Sequence, residues 1–112
     1  MTTIFGKIIR RELPADIVYE DEHCLAFRDI NPQAPTHVLL VPKKEIDKLS
    51  SAKRDDQALL GHLMLAAGKV AHQPGVSDAV RVGVNNGAQA GQGGVPLHFH
   101  ILARRKPDLP PG

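Results

Sequence analysis

Two hydrophobic periods alternate along the 112-residue chain, and together they lay out its elements. Ile4, Phe5, Ile8 and Ile9 follow the i, i+1, i+4, i+5 rhythm of a short amphipathic helix over 3–11. Phe5 and Ile8 lie on its inward side, Thr2 or Thr3 serves as N-cap, and Pro14 is the expected stop. Residues 16–20 and 24–28 read as strands of a hairpin around the charged turn Asp21-Glu22-His23. The prolines at 32 and 35 break the pattern, after which 37–42 is a near-continuous apolar run of the kind found in a buried central strand. The longest helical pattern is 58–72, with an apolar stripe at 59, 60, 63, 67, 70 and 71 that Met64 and Leu65 widen. Asp55 and Asp56 suit its N-terminus, and Gln73-Pro74-Gly75 ends it. Alternating Val80, Val82 and Val84 predict a half-buried strand over 79–84, and a final strand runs from Leu97 to Ala103. The fold class is therefore α+β: five strands, mainly antiparallel, with one short and one long helix against one face of the sheet.

Composition narrows the function classes. A chain of this length forms one domain with a single modest core. No apolar run approaches the roughly 20 residues of a membrane span, and the N-terminus lacks a signal-peptide h-region, so a cytoplasmic, membrane-free protein is expected. The 14 basic and 12 acidic side chains leave a net charge of only +2, and the four aromatics include no Trp. That balance gives little for phosphate tracking or base stacking, and no nucleic-acid partner is expected. The single cysteine, Cys24, has no internal disulfide partner and reads as a small core hydrophobe.

The chemistry concentrates in residues 91–102. In an extended segment His98 and His100 share one face, with Leu97, Phe99 and Ile101 on the other. Gly91, Gly93 and Gly94 precede them, where missing Cβ atoms permit positive φ and leave backbone N–H groups open to an anion. Imidazole can act as nucleophile, donor or general acid near neutral pH, so the combination points to phosphate chemistry. Packed or surface histidines are the alternative. The loop over 85–95 is long for so small a domain and rich in Gly and amides that can donate to a phosphate or ribose. His37, which opens the buried strand, is either a solvated strand end or a member of a site. His62 and His72 lack the i, i+4 spacing of a helical metal pair and read as structural or surface residues, and His23 as exposed and outside any site. A zinc set of His37, His98 and His100 has no cysteine or carboxylate near in sequence to complete it, so neither metal nor cofactor is expected.

Several motifs occur in order from end to end: residues 3–10 as Thr-Ile-Phe-Gly-Lys-Ile-Ile-Arg, Asp29-Ile30, Pro32-Gln33-Ala34-Pro35-Thr36-His37, Leu59-Leu60-Gly61-His62-Leu63-Met64, Asn85, Gly91-Gln92, His98-x-His100 and Pro110-Pro111-Gly112. In these the chain resembles the histidine-triad family, in its nucleotide-binding, purine nucleoside phosphoramidase branch. The resemblance implies one such domain over 1–112 and a homodimer with a continuous sheet. It also implies hydrolysis of nucleoside 5′-phosphoramidates and acyl-adenylates through a nucleotidyl-histidine. By the same resemblance His98 is the nucleophile, His100 bonds the phosphate oxygens and His37 completes the proton relay. Asp29 holds the ribose hydroxyls, Phe5, Ile8, Phe27, Ile30 and Leu39 form the base pocket, and Asn85, Gly91, Gln92, Gly93 and Gly94 lie on the phosphate side. The chain departs from the resembled pattern at Pro96, where the first histidine of the signature belongs, at Gly93 for a serine, at Val95 for an aromatic and at Leu109 for a tryptophan. The changes in the catalytic loop imply reduced turnover and leave a second expectation, a nucleotide-binding or scaffold dimer with weak catalysis.

Overall fold

Strand pairing dictates the order of the elements. The computed structural model describes residues 3–75 and 78–103. Helix α1 (Ile4–Ile9) is followed by strands β1 (Ile17–Glu20), β2 (Cys24–Arg28) and β3 (Thr36–Pro42), the long helix α2 (Gln57–His72), and strands β4 (Val80–Gly83) and β5 (Phe99–Ala103). The strands form one sheet in the order β1-β2-β3-β5-β4, with every pairing antiparallel. All seven residues of β3 are buried, which accounts for its unbroken apolar run: it is the central strand, covered on both faces.

The register sorts the side chains into two layers. Leu25 opposes Val41 and Phe27 opposes Leu39, and these four pack with Phe5 and Ile8 of α1. The intervening residues Cys24, Ala26, Val38 and Leu40 point the other way and pack with Leu63, Ala66, Ala67 and Val70 of α2, together with Phe99 and Ile101. The helices therefore cover opposite faces, which corrects the expectation that both lie on one. Helical periodicity shows that a helix has an apolar stripe but not which side of a two-faced sheet receives it.

Local chemistry moves some boundaries. Thr3 is the N-cap of α1, its Oγ1 accepting from the Gly6 N–H at 2.9 Å. The helix stops at Arg10 and Arg11, the latter left-handed at φ 63°, before Pro14 is reached. β5 begins at Phe99, so Leu97 and His98 stand just ahead of the ladder. The loop over 85–95 holds a 3-10 turn, Ala88–Ala90. Helix α2 ends with Gly75 at φ 72°, in the expected place, but Met64 and Leu65 remain 58% and 73% exposed. No described helix is long and apolar enough to cross a membrane. The expected irregular tail over 104–112, with Leu109 and Pro110-Pro111-Gly112, lies outside the described residues.

Leu63 is fully buried between α2 and the sheet. Leu63→Ala is expected to lower stability by about 2–5 kcal/mol in urea unfolding, through lost transfer energy and a residual cavity. A loss within about 0.5 kcal/mol is what an exposed position gives, and would contradict this packing.

Candidate active site

Three histidines meet on the α1 face. β3 and β5 pair so that Leu39 opposes His100 and His37 opposes Leu102. This places His37 and His100 on the face that carries Phe27 and Leu39, and His98 joins them from the residue before β5. The His98 and His100 rings lie 4.9 Å apart, and those of His37 and His100 5.2 Å apart. Phe5 of α1 meets the His98 ring edge-on at 5.1 Å. His37 and His98 are both buried.

The hydrogen bonds fix which nitrogen carries each proton. The Gln33 N–H can only donate, and it points to His37 Nδ1 at 2.9 Å. Neutral His37 must then carry its hydrogen on Nε2, which lies 2.9 Å from His100 Nδ1. His100 Nδ1 accepts, so the His100 hydrogen resides on Nε2. Asp29 Oδ2 sits 3.4 Å from His37 Nε2, while Asp29 Oδ1 accepts from the Asn31 N–H at 2.9 Å. At His98 the direction is set by the opposite kind of group. The Pro96 carbonyl can only accept, and it lies 2.9 Å from His98 Nδ1, leaving the His98 Nε2 lone pair unencumbered by that bond. An imidazole with an available lone pair beside one that presents N–H is a nucleophile next to an anion donor.

Electrostatics keep the inner pair uncharged. Burial lowers the His100 pKa to about 4, with the His98 and His37 charges adding to it and Asp29 opposing. Burial likewise pushes His37 down, against the pull of Asp29.

Beside the histidines lies a cavity of about 420 Å³ whose lining includes Phe5, Ile8, Phe27, Asp29, Ile30 and Leu39. The five residues expected in the base pocket and Asp29 thus line one cavity. The loop residues divide. Gly91 and Gly93 take positive φ, at 91° and 72°, as does Gly87 at 95°, whereas Gly94 does not. The Gln92 side chain is buried and spent inside the loop: Oε1 accepts from the Gly87 N–H, and Nε2 donates to the Asp47 and Val95 carbonyls at 2.7 and 2.9 Å. Asn85 Nδ2 donates to the Ala90 carbonyl at 2.7 Å, and its buried Oδ1 has no partner among the described residues. Sequence reasoning missed the Gln33 N–H, a main-chain group that no residue type announces.

The site is thus a sheet-borne histidine cluster with fixed tautomers beside an apolar cavity, preceded in the chain by a glycine-rich loop. A model of the HIT domain matches residues 10–107, and the chain belongs to the HIT-domain family. It is 59% identical to an uncharacterised HIT-like protein of Synechocystis sp., over 98% of this chain and 96% of that one. A 14 kDa zinc-binding protein of Zea mays is 46% identical over 98% of this chain and 88% of its own length. The crystal structure of a HIT family hydrolase from Legionella pneumophila superposes with a TM-score of 0.92 at 41% identity, covering 99% of this chain and 100% of that one.

The lowered His100 pKa makes stability depend on pH. Between about 4 and the ordinary 6.5, the unfolded chain binds a proton that folded His100 refuses, so its stabilising contribution is complete above 6.5 and is lost as pH falls toward 4. Allowing for solvent screening, the expected loss between pH 7 and 4.5 is on the order of 1–3 kcal/mol. Urea midpoints of wild type and His100→Gln at both pH values check this: the variant should lose less, and equal losses would contradict the assignment.

Proposed function

We propose that this chain hydrolyses purine nucleoside 5′-phosphoramidates and acyl-adenylates through a nucleotidyl-His98 intermediate. The bond from His98 Nδ1–H to the Pro96 carbonyl carries the reading, because it aims a basic Nε2 out of the ring's anchored edge. In the first step Nε2 attacks the α-phosphorus, an N–P bond forms, and the bond to the amine or acyl oxygen breaks; a leaving amine takes its proton from solvent. In the second, water attacks phosphorus, the N–P bond breaks, and the nucleoside monophosphate leaves while the water's proton passes to solvent. His100 Nε2–H bonds a non-bridging oxygen in both steps, and His37, held by Gln33 and Asp29, steadies that donor.

The cavity of Phe5, Ile8, Phe27, Ile30 and Leu39 takes the base, and the Asp29 carboxylate at its rim accepts from the ribose hydroxyls. Gly93 and Gly94 supply backbone N–H groups on the phosphate side, and Asn85 closes that loop; the N–H groups of Gly91 and Gln92 donate within it to the Ala88 and Gly87 carbonyls, so these two residues shape the loop. The maize relative is a zinc-binding protein. Asp29, His37 and His100 hold donor atoms within 4.8 Å of one another, but His37 and His100 are bonded to each other, and that bond is what steadies the His100 donor. No step runs through an ion.

Pro96 stands where the resembled signature has its first histidine. It keeps the carbonyl that orients His98 and offers no ring to His37, so turnover falls by up to about the 10²–10⁴-fold that one acid–base group supplies. Pro96 and Gly93 also favour a second reading, a nucleotide-binding scaffold with weak catalysis. Quenched single-turnover incubation with adenosine 5′-phosphoramidate separates the two. An adenylyl adduct on His98 with AMP release supports hydrolysis, and His98→Ala should abolish both while leaving AMP affinity within about tenfold. AMP binding without adduct or release would leave the scaffold reading.

We read the chain as one HIT domain over 1–112, acting in the cytoplasm on a small nucleotide, apart from membranes and nucleic acids. We read its assembly as a homodimer. Met64 and Leu65 leave apolar surface on α2, and β4 is an edge strand that a second copy can extend into a continuous sheet. Sedimentation should give twice the chain mass for wild type and a monomer for Leu65→Glu; a monomeric wild type at micromolar concentration would contradict the dimer.

A further inference from the structure

A second cluster of chemistry-bearing side chains lies on the α2 side of the sheet, and hydrolysis at His98 uses none of it. Asp21 occupies the β1–β2 turn, Cys24 opens β2 with its side chain on the α2 face, and His62 projects from α2. The ligand atoms of these three all lie within 4.8 Å of one another. Asp21 Oδ2 is 2.6 Å from His62 Nε2, and Asp21 Oδ1 is 3.4 Å from Cys24 Sγ. The ring of His23 stands edge-on to that of His62, with centroids 4.9 Å apart.

We propose that Asp21, Cys24 and His62, with His23 at the rim, form a binding site for a divalent transition ion of the zinc class. The donor set is one sulfur, one imidazole nitrogen and one carboxylate oxygen. Hard cations such as calcium and magnesium take oxygen almost throughout, whereas thiolate with imidazole selects borderline ions. Spacing agrees. Around a tetrahedral ion held at about 2.0–2.3 Å, neighbouring donors stand roughly 3.3–3.7 Å apart. The sulfur is at that separation from Oδ1, the imidazole faces Oδ2, and one ligand atom from each residue lies within 4.8 Å of the others. The imidazole and carboxylate need to open by less than about 1 Å as the ion replaces the hydrogen between them.

The site is also built to receive an ion. Asp21 is held in place by the N–H groups of His23 and Cys24 on Oδ1 and by the Tyr19 hydroxyl on Oδ2. Cys24 is fully buried, while the His62 and Asp21 side chains are 33% and 23% exposed and His23 is exposed, so the soft donor lies at the bottom of an open entry. A thiol must lose its proton to ligate a metal, so the ion itself displaces that proton. On binding, the S–H bond breaks, a metal–thiolate bond forms and one proton goes to solvent. The His62 hydrogen moves from Nε2 to Nδ1, freeing Nε2 as ligand, and His23 or water takes the fourth position. Bound this way, the ion clamps the β1–β2 turn to α2, on the opposite face from His98.

Cobalt(II) added to chelator-stripped wild-type protein tests the proposal, because a thiolate ligand gives an intense near-ultraviolet charge-transfer band that histidine and carboxylate ligands do not. One equivalent should develop the band, zinc should displace it, Cys24→Ser should abolish it, and His62→Gln should weaken binding by about tenfold or more. His100→Gln should leave the band intact. Absence of a thiolate band in folded wild-type protein at saturating cobalt would overturn the proposal whatever the variants do. So would binding that survives Cys24→Ser and is lost in His100→Gln, which would move the ion to the histidines of the other face. Neither result depends on phosphoramidate turnover.

Discussion

A backbone N–H can only donate and a backbone carbonyl can only accept, and at two points that asymmetry decides how the histidines are protonated. The Gln33 N–H at one end and the Pro96 carbonyl at the other leave one consistent tautomer for each neutral ring. Main-chain groups do not titrate, so these assignments hold for as long as the rings stay neutral. Burial keeps His37 and His100 in that state by disfavouring their charged forms. The available Nε2 of His98 and the donor Nε2–H of His100 follow from geometry and need no further ionisable partner.

The same pairings that make the sheet make the site. β3 is buried along its whole length because helices cover both faces, and this brings His37 into a place where a polar ring must find partners. It finds them in Gln33, His100 and Asp29. A one-residue slip between β3 and β5 would turn His100 to the α2 face and put Phe99 or Ile101 among the histidines. Register is held against such a slip by the apolar layer of Phe99, Ile101, Val38 and Leu40 under α2. The packing of one face thus secures the chemistry of the other.

Much of this was legible in the sequence. Apolar patterning located the five described strands and both α-helices, the central strand by its unbroken apolar run and the long helix by its stripe, because each element has a face that must be apolar. The i, i+2 spacing of His98 and His100 placed both rings on one side. The assignment of helices to faces was not legible, since α1 and α2 have similar stripes and the sheet is apolar on both sides. Nor was the partner of His62: its 2.6 Å contact with Asp21 joins residues far apart in the chain, and neither shows in its own neighbourhood that the other is near. Gln92 illustrates a subtler gap. An amide in a glycine loop suits a ligand donor and a structural tie equally well, and only the three bonds it makes to Gly87, Asp47 and Val95 show that it is the tie.

That tie bears on how Pro96 is accommodated beside the nucleophile. A proline inside the ladder would forfeit a hydrogen bond, but the ladder starts at Phe99, so Pro96 lies ahead of it and its missing N–H costs nothing there. The approach to the strand is held by other means. Gln92 grips the Val95 carbonyl, and the Leu97 N–H donates to the Ile46 carbonyl at 2.8 Å. Pro96 is thus fixed from both sides, with its own φ restricted by the ring, and its carbonyl direction is set before His98 meets it. The orientation of His98 consequently depends on a short, locally pinned segment and not on sheet pairing, so changes at residues 92–97 are felt at the imidazole while the fold around it stays the same.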